Sequence, residues 1–143
     1  MFVQYDDGRE QLIARGGPSL EGAEFAGGLL DGSNRVTAGV FPAALSKDYG
    51  KGQREIFHGF LPGIPAQEAA AGARAYAADV NRGGDAYAPL GTNSNSFAAD
   101  VIEDRFGRRV GDTGTPGYRY HLHAQRTAPQ PFDLSPLLRT APY

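Results

Sequence analysis

The sequence predicts an α+β domain: a small antiparallel β-sheet with two main helices packed on it. Three observations carry this. "FVQY" and "EQLIAR" flank "DDGR", and Asp7-Gly8 is a strong hairpin signal because Gly accepts the positive φ of a tight strand reversal. "PAQEAAAGARAYAADVNRGG" and "SNSFAADVIEDRFG" each repeat apolar residues at helical spacing and end in Gly. Short β-prone runs and two helices most commonly bury a single core by layering helices on a sheet.

The elements follow in order. Residues 2 to 15 are expected as a β-hairpin. Residues 16 to 35, with apolar pieces broken by Gly, Ser and Asn, read as a long loop. "RVTAGVFPAAL" supplies a strand ending near Pro42, and "REIFHGFLP" another ending at Pro62, because proline removes a ladder donor. The sheet is therefore expected to hold four to six strands.

The first helix runs from Pro65 to Gly83-Gly84. Ala69, Ala73, Tyr76 and Val80 share its buried face, while Glu68, Arg74 and Asp79 lie elsewhere. The second is capped by Ser94, Asn95 or Ser96, with Asn93 and Asn95 making local side-chain turns. Its stripe is Phe97, Ala98, Val101, Ile102 and Phe106; Asp100, Glu103 and Asp104 face water, and Gly107 stops it. "YRYHLHAQ" reads as a strand with Tyr118, Tyr120 and Leu122 on one face and Arg119, His121 and His123 on the other.

Composition narrows the function classes. A chain of 143 residues fits one domain with a core of its own, and residues 1–126 are expected as that domain, followed by a Pro-rich extension over 127–143. The 14 Lys and Arg against 16 Asp and Glu, with no basic-aromatic cluster, argue against nucleic acid. Cysteine is absent, which excludes disulfides, thiolate metal sites and a cysteine nucleophile. "MFVQYDDGRE" has no signal-peptide pattern and no apolar run approaches a membrane span, so a soluble chain is expected, cytoplasmic or delivered by a dedicated secretion system or virion. The glycine-rich stretches lack the spacing of a P-loop or dinucleotide fingerprint. The pair Asp6-Asp7 belongs to a turn and Glu103-Asp104 to a solvated helix side, so neither suggests acid/base work.

The strongest candidate site is "GTNSNSFAADVIEDRFG", residues 91 to 107. A nucleophile on the first turn of a helix sits beside unpaired N–H groups and a positive dipole end, which stabilise an oxyanion. The order strand, Asn-Ser-Asn-Ser-Phe, helix resembles the circularly permuted papain-like superfamily, which includes NlpC/P60-related, lecithin:retinol acyltransferase-like and PPPDE proteins. In those families an Asn-Cys pair opens the helix. "FVQYDDGREQLIARGGPS", "YAPLGTNSNSFAADVI" and "GTPGY" extend the likeness over roughly residues 2 to 118, and look like a bacterial or phage branch with NSNSF in place of the Asn-Cys motif.

The resemblance implies a papain-like fold with Ser94 at the cysteine position. It implies a hydrolase or acyltransferase acting on an amide or ester, with peptidoglycan or a peptide as substrate. Two departures weigh against activity. A serine stays protonated and needs a general base, where a helix dipole would activate a thiol directly. The families' upstream histidine is also missing, since only His58 precedes Ser94.

The candidate bases are His58, with Asp48 or Glu55 to orient it, and His121 or His123, which follow the nucleophile as in papain itself. His121 and His123 also share a strand face and could hold a metal with Asp112 or Glu103, but without a definite third ligand the plainer reading is a solvent-facing surface, and no metal or other cofactor is expected. For Asn93, Ser94, Asn95 and Ser96 the architectural reading is helix capping, with a binding role at the same helix end. The favoured function is a non-catalytic papain-like scaffold that binds a protein partner or self-assembles through its C-terminal extension. The alternative is a Ser94-dependent hydrolase.

Overall fold

The computed structural model describes residues 1–20, 23–46, 49–50, 59, 62–107, 109 and 115–122. Its architecture is α+β, with helices packed on a three-stranded antiparallel sheet. Strands β1 (Val3–Asp6), β2 (Gln11–Pro18) and β3 (Val36–Pro42) lie in that order. Helices α1 (Ala23–Asp31), α2 (Ala66–Ala69), α3 (Ala71–Gly83) and α4 (Ser94–Phe106) complete the described elements, with a 3-10 turn at Ala43–Leu45. No described helix is long and apolar enough to cross a membrane.

The hairpin forms as its turn residues dictate. Gly8 has φ of 81°, and the Asp7 carboxylate accepts the N–H groups of Arg9 and Glu10, each at 2.8 Å. Its second oxygen accepts the N–H of Ala66 at 2.8 Å, so the hairpin also caps the start of α2. Bonds from Ala66, Glu10 and Arg9 hold the Asp7 carboxyl below its ordinary range.

The register pairs Tyr5 with Leu12, Leu12 with Pro42, and Ala14 with both Val3 and Val40. Period-two alternation therefore puts Tyr5, Leu12, Ala14, Val36, Ala38 and Val40 on one face. There α3 packs mainly on β3 and α4 on β2. Ala14, Val36, Tyr76, Val80, Phe97 and Leu122 meet in the core. Gly16 allows the closest approach: a Cβ there would come within 3.0 Å of the Phe97 Cβ and 3.4 Å of the Ser94 Cα. The Gly-Gly-Pro stretch is thus the seat for the first turn of α4.

The outer edge of β3 is covered by the Asn81 side chain and by the Asp85 backbone carbonyl. The Asn81 carboxamide accepts the Ala38 N–H at 2.8 Å and donates to the Ala38 carbonyl at 3.0 Å, imitating a neighbouring strand. The Val36 N–H donates to the Asp85 carbonyl at 2.9 Å.

Several expectations need correction. Residues 16–35 are not one loop: β2 continues to Pro18, and α1 forms over Ala23–Asp31. Helix formation there tolerates Gly27 and Gly28 because Gly28 lets Leu20 and Asn34 close against the helix. Buried Asn34 ties this region together, accepting from the Ser19 hydroxyl and the Leu20 N–H, each at 3.1 Å. The helix from Pro65 divides at Ala70 into α2 and α3, and ends as expected with Gly84 at φ of 68°. Asp100 is buried, not solvent-facing, and Asp79, expected off the apolar face of its helix, is buried too.

Residues 118–122 are not a strand. Gly117 turns the chain with φ of 83°; the Tyr118 and Tyr120 N–H groups close turns onto the Thr115 and Gly117 carbonyls, while the Leu122 N–H donates to Asp100 and the Tyr118 carbonyl accepts from Arg109. Tyr118 and Leu122 are buried, while Tyr120 is exposed. Three strands are described, and the strand expected at 54–62 lies largely outside the described residues.

Candidate functional site

The N-terminus of α4 is built by Asn93, which takes the capping position in place of Ser94, Asn95 or Ser96. Its backbone is extended (φ of −155°), its side chain accepts the Asn95 N–H at 2.8 Å, and its own N–H donates to the Ser96 hydroxyl at 3.1 Å. This reciprocal capping box satisfies donors that a helix start leaves open.

The same residues grip the turn at 116–117. Asn93 Nδ2 donates to the carbonyls of Pro89 at 2.8 Å and Pro116 at 3.2 Å; Asn95 Nδ2 donates to the Pro116 carbonyl at 2.7 Å. Ser96 Oγ donates to the Gly117 carbonyl at 2.7 Å, and the Met1 amino group donates to Asn95 Oδ1 at 2.7 Å. The side chains of Asn93, Asn95 and Ser96 are thereby committed to the chain itself.

Ser94 differs. It is half-buried against Gly16, and its hydroxyl makes no hydrogen bond among the described residues. The described histidine, His121, lies elsewhere. Its Nδ1 is 2.9 Å from Asp100 Oδ1, and Asp100 follows Ser94 by six residues, about 9 Å along the helix axis and roughly a third of a turn around it. The structure does not bring Ser94 and His121 together. His58 and His123, with Asp48, Glu55 and Asp112, lie outside the described residues.

A second cluster forms around Asp100, whose side chain is 1% exposed. Oδ2 accepts the Tyr76 hydroxyl at 2.7 Å and the Leu122 N–H at 3.0 Å. Oδ1 faces His121 and the Arg109 guanidinium. Arg109 also donates through Nε to Glu103 at 2.9 Å and stacks over the Tyr118 ring with its Cζ 5.8 Å from the centroid. A buried carboxylate with this many donors is fully paired. Sequence reasoning missed Asp100 and Arg109, since an acidic residue between Ala99 and Val101 signals burial only once its distant partners are known.

Comparison with known protein families, curated proteins and solved structures finds no match.

Proposed function

We propose that this chain is a non-catalytic binding or assembly module on a papain-like α+β scaffold. The observation that carries the reading is the commitment of Asn93, Asn95 and Ser96 to the 116–117 turn: the segment that resembles a nucleophile motif spends its polar groups on holding its own fold. The placement of the α4 N-terminus against the central strand β2 supports the scaffold part. The partner is a protein or a further copy of the chain, engaged through the extension 127–143. Its prolines reduce the ordering entropy, and Phe132, Leu134, Leu137, Leu138 and Tyr143 supply apolar anchors. Light scattering of the full chain and a form lacking 127–143 tests this. Loss of assembly or of stability on deletion supports it, and two equally stable monomers count against it.

One observation favours a second reading, a Ser94-dependent hydrolase. Because Asn93 takes over the capping, the Ser94 hydroxyl is left for other use at the first turn of α4. Hydrolysis of activated esters or peptide amides that disappears in a folded Ser94→Ala variant would establish it over the first.

A further inference from the structure

Two carboxylates and an imidazole converge on one cationic point beside α4. Asp100 and Glu103 stand three residues apart on the helix, and the turn after Gly117 brings His121 to them. Asp100, Glu103 and His121 each offer a ligand atom, all within 4.8 Å of one another; those facing His121 Nδ1 are Asp100 Oδ1 and Glu103 Oε2. Nδ1 is 2.9 Å from the first and 3.6 Å from the second. The Arg109 guanidinium fills the space between them, bonding both carboxylates, with Nη2 2.7 Å from Nδ1.

Nδ1 stands between a guanidinium that only donates and the Asp100 Oδ1 that only accepts, so its role turns on the tautomer: with the ring proton on Nε2, Nδ1 offers a lone pair. Such a nitrogen is ready to bind a metal. Asp100 is prepared in the same sense: Tyr76 and the Leu122 N–H occupy Oδ2 and leave Oδ1 turned inward, as outer hydrogen bonds orient a ligating carboxylate.

We propose that Asp100, Glu103 and His121 form a site for a divalent transition ion of the zinc class, with Arg109 as the tethered cation that the ion displaces. An imidazole nitrogen with two carboxylate oxygens suits zinc, whereas calcium and magnesium take oxygen alone. In a tetrahedral zinc site with bonds of about 2.1 Å, neighbouring donors stand about 3.4 Å apart. The separations of 2.9 and 3.6 Å from His121 Nδ1 bracket that value, and with all three donors within 4.8 Å the ligands can close on an ion once Arg109 swings out. His121, 60% exposed, leaves a fourth position open to water.

The test uses the full chain near neutral pH, titrated with Co²⁺, whose visible absorption reports its coordination, and then with Zn²⁺ as competitor. The native chain should develop a cobalt band that zinc removes, and His121→Ala should abolish it. Arg109→Gln should bind about tenfold tighter, the scale on which groups around ligands tune metal affinity. A band that persists in His121→Ala, or no band in the native chain, overturns the proposal. The native and His121→Ala proteins decide the matter even where Arg109→Gln does not fold.

Discussion

The Tyr76 hydroxyl donates to the Asp100 carboxylate across 2.7 Å inside the core, joining α3 to α4 through a buried charge. The same ring stacks on Phe97, with centroids 5.7 Å apart and planes 5° from parallel. Tyr76 therefore contributes both apolar area and a donor that the carboxylate needs. Tyr76→Phe keeps the stacking and removes the donor, and should destabilise the fold by about 1–3 kcal/mol, as befits a hydrogen bond to a charged group. Urea denaturation measures this. A midpoint unchanged from the native chain would mean that Arg109 and the Leu122 N–H satisfy Asp100 alone.

Gly117 lies against Asn93 so closely that a Cβ would overlap the Asn93 carboxamide, and its φ of 83° already disfavours any side chain. Gly8 supplies a control, with φ of 81° and nothing within 4 Å of a Cβ. Gly8→Ala should cost about 1 kcal/mol, the backbone penalty alone. Gly117→Ala should cost at least about 1 kcal/mol more, because it also forces apart the α4 cap and the turn that it holds. Equal losses of melting temperature would show that the clamp contributes nothing.

How much of this was legible in the sequence follows from how local each determinant is. Asp7-Gly8, Pro42, Pro65, Gly84 and Gly107 act within a turn of their own positions, and the hairpin and the ends of β3, α3 and α4 fell where those residues predict. Asp100 read as solvent-facing, and Asp79 as lying off the apolar face, because an unpaired charge would stay out of the core. Their burial depends on Arg82, Tyr76 and Arg109, and for Asp100 those partners are many residues away in sequence. The alternation over 118–122 imitated a strand, yet these residues form turns, with the Tyr118 and Tyr120 N–H groups on local carbonyls and the Leu122 N–H and Tyr118 carbonyl on Asp100 and Arg109. Within the candidate site the motif marked the correct helix end but assigned the cap one to three residues late, since Asn and Ser are almost equally good caps.

Asn81 tests whether a side chain can stand in for a strand. Asn81→Ala removes both bonds to Ala38, whose N–H and carbonyl can then turn to water, so the stability cost should be modest, about 0.5–1.5 kcal/mol. The larger effect should be on association, because the variant lengthens an open edge on β3. Sedimentation velocity over a range of concentrations should show reversible dimers or larger species in the variant and fewer in the native chain. A variant as monodisperse as the native chain would remove the edge-covering role.

Tyr5 gives the fold a specific dependence on alkaline pH. Its ring lines a crevice between α3 and α4 with Gly72, Ala73 and Arg105. Burial pushes the phenol up to about 12, even though the Arg105 and Arg74 guanidiniums pull the other way. The raised value means that the folded state keeps a proton which the unfolded chain gives up from about pH 10. Below pH 10 Tyr5 is neutral in both states and adds no slope. Between about pH 10 and 12 the unfolded chain ionises first, so stability falls by up to about 1.4 kcal/mol per pH unit, or roughly 2–3 kcal/mol across the window. Tyr5→Phe should remove that part of the slope and leave the contribution of the other ionising groups. Unfolding in urea at pH 9 and pH 11 should therefore show a smaller alkaline loss for the variant. Parallel losses in the two proteins would place the Tyr5 phenol in water.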